Sequence, residues 1–143
     1  MKNIIGILGG MGPAATADMF QKFIQLTPAH CDQEHIPLVI SSIPDIPDRT
    51  TSILHEGESP LPAMEEYMHG LERAGAKCII IACNTAHYWY NDLKKKCNVD
   101  MLNIIDFQFF VHFVANFRDF DEGFPTFFLN CFLHISIHHQ HIE

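Results

Sequence analysis

Cys83 is the residue best placed to do chemistry in this chain of 143 residues. It directly follows the apolar run Cys78-Ile79-Ile80-Ile81-Ala82 and precedes Asn84-Thr85. That pattern predicts a thiol at the exit of a buried strand and the N-terminal end of a helix. There the helix dipole and free backbone N–H groups stabilise a thiolate, which suits a nucleophile or a base for proton transfer. An arbitrary cysteine is more often a buried inert thiol, and that is the assignment for Cys78 at the start of the same strand. Position at the carboxyl end of a strand reverses the odds for Cys83. His87 follows four residues later, the spacing of two side chains on one helix face, so it either supports the thiol or caps and packs. Arg49, in Pro47-Asp48-Arg49-Thr50, suits a bidentate grip on a carboxylate, with a surface ion pair to Asp45 or Asp48 as the alternative.

The second chemical signal is glycine. Gly6, Gly9, Gly10 and Gly12 do not have the G-x-G-x-x-G spacing of a dinucleotide fold, and no Gly-Lys-Ser/Thr follows for a phosphate loop. The second predicted strand ends in Ser41-Ser42-Ile43, with no acid for a ribose hydroxyl. What remains is a loop around Gly10, Met11 and Gly12 whose free N–H groups at a helix N-terminus suit a carboxylate or phosphate, or a tight strand-to-helix turn.

These residues need a scaffold that brings them to one edge. Ile4-Ile5-Gly6-Ile7-Leu8 reads as a strand, and Pro13 as the first turn of a helix reaching about residue 26, with Ala17, Phe20 and Ile24 on one face. A second strand is predicted over 36–41, and residues 42–62, with Pro44, Pro47, Gly57, Pro60 and Pro62, read as a long ordered loop. Leu61, Met64, Tyr67 or Met68, Leu71 and Ala74 repeat at helical spacing until Gly75. A third strand over 78–82, a helix over 84–97 with Lys94-Lys95-Lys96 near its end, and a fourth strand over 101–105 complete the pattern. Alternating strands and helices predict an α/β unit with a parallel sheet, flanking helices and right-handed crossovers. In such sheets ligands bind beyond the carboxyl ends of the strands, where the glycine loop, the Pro-rich segment and Cys83 to His87 should meet.

Composition narrows the partners. Nine basic against 17 acidic residues give a net charge of −8, which argues against nucleic acid and anionic lipid. No run approaches a membrane span, and Met1-Lys2-Asn3 starts no signal peptide, so the expectation is a cytoplasmic protein with no membrane partner. The five cysteines lack a C-x-x-C pair and suggest neither a disulfide framework nor a zinc ribbon. The histidines from His134 to His141 resemble an adventitious metal-binding tail, and no metal site is expected. Composition also breaks near Asp106: ten of the 12 phenylalanines lie between Phe107 and Phe132, and Arg118 is the only Lys or Arg after Lys96.

The residues resemble the cofactor-independent aspartate/glutamate racemases. The matching stretches are residues 4–13, Pro47-Asp48-Arg49-Thr50, Ala74-Gly75-Ala76, Ile81-Ala82-Cys83-Asn84-Thr85-Ala86-His87 and Leu102-Asn103-Ile104-Ile105-Asp106. The resemblance implies inversion of an amino acid at Cα without a cofactor, by two cysteines on opposite faces, one acting as thiolate and one as thiol. It makes Cys83 the first of these, Met11 a pocket position, Arg49 a carboxylate contact, and Asn84 and Thr85 polar groups beside the thiol. Gly10, Gly12 and His87 are supporting positions. The implied substrate is a small amino acid, aspartate or glutamate foremost, and the implied assembly a homodimer. In the family a second α/β domain brings the other cysteine in a Gly-Cys-Thr-Glu motif, which this sequence lacks. Cys131, in Leu129-Asn130-Cys131-Phe132-Leu133, does not replace it. Residues 1–106 are therefore expected to be the first domain of a two-domain racemase-like fold. Residues 107–143 are expected to be a non-homologous Phe/His-rich tail, as a frameshift or truncation would produce, leaving activity reduced or absent. The competing reading is a carboxylate-binding module without catalysis.

Overall fold

The computed structural model describes residues 2–104. The expected boundary at residue 106, the Phe/His-rich tail, the histidine cluster and Cys131 lie outside them. Four strands, β1 (Ile4–Gly9), β2 (Leu38–Ser42), β3 (Ala76–Ile81) and β4 (Asp100–Leu102), form one parallel sheet in the order β2-β1-β3-β4. Apart from the exposed Lys77, the central strands β1 and β3 are apolar and almost wholly buried, as strands covered on both faces must be. Their register aligns the carboxyl ends: Gly9 pairs with Ser42, and Leu8 with Ile81. Two bonds continue this alignment past the strands, Ile43 N–H to the Gly9 carbonyl (3.3 Å) and Ala82 N–H to the Leu8 carbonyl (2.9 Å). The segments after β1, β2 and β3 thus leave from one edge.

Side chains alternate across the sheet with period two. Leu8, Ile79, Ile81 and Met101 face Met64, Met68 and Leu71 of the helix α3 (Leu61–Arg73), forming one core. The opposite face carries Ile5 and Ile7, both fully buried. The helix α1 (Pro13–Leu26) covers that face, because a Cβ built on Gly9, in phase with Ile5 and Ile7, would meet Thr16 Oγ1 at 2.4 Å. Gly75 stops the turn after α3 in the left-handed region (φ +96°), where glycine carries no Cβ penalty.

The parallel α/β architecture agrees with the expectation, and three local features correct it. The face of α1 that packs inward holds Thr16, Met19 and Phe23, while Ala17 is exposed and Phe20 and Ile24 are over 40% exposed. Two apolar stripes at helical spacing compete on this helix. The bond from the Gly10 N–H to Thr16 Oγ1 (2.9 Å) decides between them by fixing the helix rotation. Lys22 comes inward with that face, and its ammonium reaches Asp18 one turn back. Second, the Pro-rich segment contains a short helix, α2 (Arg49–Leu54), capped by Asp48, whose carboxylate accepts from the Thr51 N–H at 2.7 Å. Third, the helix expected over 84–97 divides into a 3-10 turn (Thr85–Trp89) and α4 (Tyr90–Lys96). Ala86 and Trp89, three residues apart, are both buried, and the tighter 3-10 winding puts such a pair on one face. The strands differ from expectation only at their ends: β2 begins at Leu38, β3 at Ala76, and β4 spans Asp100–Leu102.

Candidate active site

The glycine loop is a tight turn. Gly10 has φ +91°, and a Cβ there would lie 2.2 Å from the Ile43 nitrogen, so only glycine permits the β1 and β2 exits to approach this closely. Its N–H is donated to Thr16 Oγ1, so this one N–H of the loop is not free for a ligand. Gly12 is exposed and forms the N-cap of α1 without a side-chain bond. Met11 turns inward at 4% exposure and joins the same apolar cluster as Cys83, Ile46, Ala86 and Trp89.

Cys83 is 7% exposed, and its thiol is free. Two residues after β3, it sits where the chain turns into the 3-10 segment rather than at the head of a long helix. The apolar cluster around it limits its contact with water. Asn84 and Thr85, next in the chain, are exposed at the same edge.

His87 attaches to the backbone of Cys83. Its Nδ1 lies 2.7 Å from the Cys83 carbonyl oxygen, and since a carbonyl only accepts, Nδ1 carries the proton. Burial pushes the pKa of His87 down, against the opposing bonds to the Cys83 and Asn84 backbone, so the ring is neutral at pH 7. The ring also stacks on Tyr90 at 6.0 Å, and the Tyr90 hydroxyl donates to the Met101 carbonyl at 2.8 Å, tying the Cys83 turn to β4. Of the two readings offered by their spacing, His87 takes the capping one: its ring bonds the Cys83 carbonyl and makes no hydrogen bond to the Cys83 thiol.

Arg49 opens α2, which packs against the 3-10 turn carrying His87. Its Nη1 donates to the carbonyls of Ile46 and Pro47, both at 3.2 Å. Among the described residues it makes no ion pair, so the alternative pairing with Asp45 or Asp48 is not formed. These bonds fix the guanidinium, while its Nε is buried with no partner.

A family model described as Asp/Glu/hydantoin racemase matches residues 8–110. The chain belongs to this racemase family. The broad specificity amino-acid racemase RacX of Bacillus subtilis (strain 168) is 32% identical over 107 residues, covering 72% of this chain and 46% of that protein. The aspartate racemase of Picrophilus torridus has a TM-score of 0.68 at 37% identity, over 80% of this chain and 48% of that one. An aspartate racemase homologue from Pyrococcus horikoshii OT3 has a TM-score of 0.61 at 29% identity, over 82% and 50%. The chain therefore spans about half the length of the racemases it matches.

For a racemase-family domain, the sheet edge gathers the residues expected from sequence. Met11 and Cys83 share one cluster, Arg49 and His87 stand on elements in contact, and Gly10, Gly12, Asn84 and Thr85 complete the rim. Sequence reasoning missed Thr16, which satisfies Gly10, and Ile46, which packs beside Met11 and lends its carbonyl to Arg49. Thr16 carries a weak signal, a hydroxyl residue one turn into a helix that opens on a glycine loop; Ile46 carries none. Among the described residues no group of three or more His, Cys, Asp or Glu could hold a metal, and no helix is long and apolar enough to cross a membrane.

Proposed function

We propose that this chain carries one half of a cofactor-independent amino-acid racemase site, with Cys83 as the thiol that exchanges the Cα proton and Arg49 as the grip on the substrate carboxylate. The observation that carries this reading is Arg49 itself. Its Nη1 is spent on two backbone carbonyls, which orient the fork, and its buried Nε is left without an acceptor. An unpaired buried donor costs roughly 1–3 kcal/mol, a cost removed when a carboxylate arrives.

On this reading the proton moves as follows. Cys83 as thiolate takes the Cα proton and becomes a thiol, and the electron pair passes into the adjacent carboxylate as an enediolate. Arg49 and the polar groups of Asn84 and Thr85 stabilise the charge that develops there. Returning a proton from Cys83 restores the starting enantiomer, whereas inversion requires an acid on the other face. Aspartate or glutamate is the proposed substrate class, and Met11 with its apolar neighbours keeps water from the thiol. In the relatives matched here, about as much chain again is available to supply the second face.

Deuterium exchange at Cα of D- and L-aspartate tests this. The expected result is exchange into one enantiomer, abolished in Cys83→Ser. Exchange unchanged in that variant would remove Cys83 from the mechanism. Saturable aspartate binding without any exchange would favour the second reading, a carboxylate-binding module.

A further inference from the structure

Among the described residues, two buried side-chain polar atoms have no hydrogen-bond partner: Arg49 Nε and His87 Nε2. Buried polar groups are paired in most native structures, so each of these atoms calls for a partner, a water or a ligand, that the described residues do not supply. They are opposite in kind. Arg49 Nε is a donor under all conditions. His87 has its proton on Nδ1, held at 2.7 Å by the Cys83 carbonyl, and this leaves Nε2 as a bare lone pair that can only accept. Burial keeps the ring neutral and preserves that lone pair.

The two residues belong to elements that pack together, α2 and the Thr85–Trp89 turn, at the edge where Cys83 emerges. The His87 ring is anchored on the Cys83 main chain, so Nε2 lies one ring width from that anchor. A ligand offering only carboxylates satisfies Arg49 and sets oxygen lone pairs beside the lone pair of Nε2. A ligand offering a carboxylate and an ammonium on one carbon carries a partner for each kind of orphan.

We propose that His87 is a substrate-binding residue whose Nε2 accepts a hydrogen bond from the substrate α-ammonium, so that it selects amino acids over the corresponding deaminated acids. This rests on the reading of Arg49 as the carboxylate contact and adds the partner for the other end of the zwitterion. The contact also orients Cα. With carboxylate and ammonium both held, the substrate's remaining rotation is restricted, and its Cα–H can be directed at one thiol.

The test is calorimetric binding of aspartate and succinate to the full chain and to His87→Asn. Asparagine keeps an N–H donor near the position of Nδ1, for the Cys83 carbonyl, and deletes the acceptor at Nε2. The unmodified chain is expected to favour aspartate over succinate by about tenfold or more, the scale of a buried hydrogen bond to a charged group. In His87→Asn the ratio should fall to about one, with succinate affinity unchanged. Discrimination that survives in His87→Asn overturns the proposal and leaves the Arg49 reading standing. Binding of neither ligand to the unmodified chain overturns both. Nitrogen NMR of the unmodified chain gives a readout that needs no variant. Nε2 should resonate as an unprotonated nitrogen and shift on addition of aspartate but not succinate; a proton on Nε2, or no shift with bound aspartate, overturns the proposal.

Discussion

Cys83, Arg49 and Gly10 stand out in the sequence as candidates because each depends on residue type more than on neighbours. A thiol after a β-branched run, a guanidinium in a Pro-rich segment and paired glycines after a strand each imply their chemistry before any coordinate is known. The proton position on His87 is not legible. It depends on the carbonyl of Cys83, four residues back, just before the chain enters the 3-10 turn. Replacing Gly10 with alanine should destabilise the fold by about 1–2 kcal/mol for the left-handed backbone, and by about 1–3 kcal/mol more for the contact with Ile43. Denaturant unfolding measures the sum. Protonating His87 should also destabilise the fold. Its pKa is lower folded than unfolded, so the unfolded chain binds the proton more readily and stability falls as pH drops below about 6.5. His87→Asn should lack that part of the pH dependence in the same measurement.

At the scale of elements, the parallel strands were legible from their apolar runs, and the rotation of α1 was not. Its sequence supports two apolar stripes, and the choice between them is made by Thr16, whose hydroxyl accepts from the Gly10 N–H. Phe23→Ala should therefore cost about 3–5 kcal/mol as a core truncation, whereas Phe20→Ala, on the exposed stripe, should stay within about 0.5 kcal/mol. Equal costs in thermal or chemical unfolding would place the wrong face inward. A second element-level joint is Glu72, near the end of α3. It accepts from the Asn98 N–H (2.6 Å) and amide (3.0 Å), and its other close partner is His69 Nδ1 at 2.7 Å. Burial pushes the Glu72 carboxyl up, but the bonds from His69, Asn98 and Cys97 outweigh it and hold the pKa down at about 2. A depressed carboxylate stabilises the fold fully above its unfolded value, near 4.5, and loses that contribution as pH falls towards 2. An acid titration followed by circular dichroism should show this loss in the native chain and not in Glu72→Gln.

For the whole molecule, the decisive quantity is the number of thiols that the described residues bring to the sheet edge. The chain covers 46–50% of the racemases it matches, and the reaction proposed for the site needs proton donors on two faces of Cα. The sheet edge supplies one buried thiol, Cys83; the other described cysteines are Cys31, exposed, Cys78, buried at the amino-terminal end of β3, and Cys97, half-buried after α4. Burial drives the Cys78 thiol pKa up, and holds that of Cys97 up at about 11 together with Glu72 and Asp100, so neither is a ready thiolate at pH 7. Exchange and inversion should therefore separate. In deuterated water the full chain should place deuterium at Cα of one aspartate enantiomer with retention, while inversion runs at least about 100-fold slower, the scale of one lost acid–base group. Chiral chromatography coupled to mass spectrometry reads both rates from one sample. Inversion as fast as exchange would require an acid opposite Cys83 that residues 2–104 do not supply. It would also move the catalytic unit from this domain to an assembly or to the remainder of the chain.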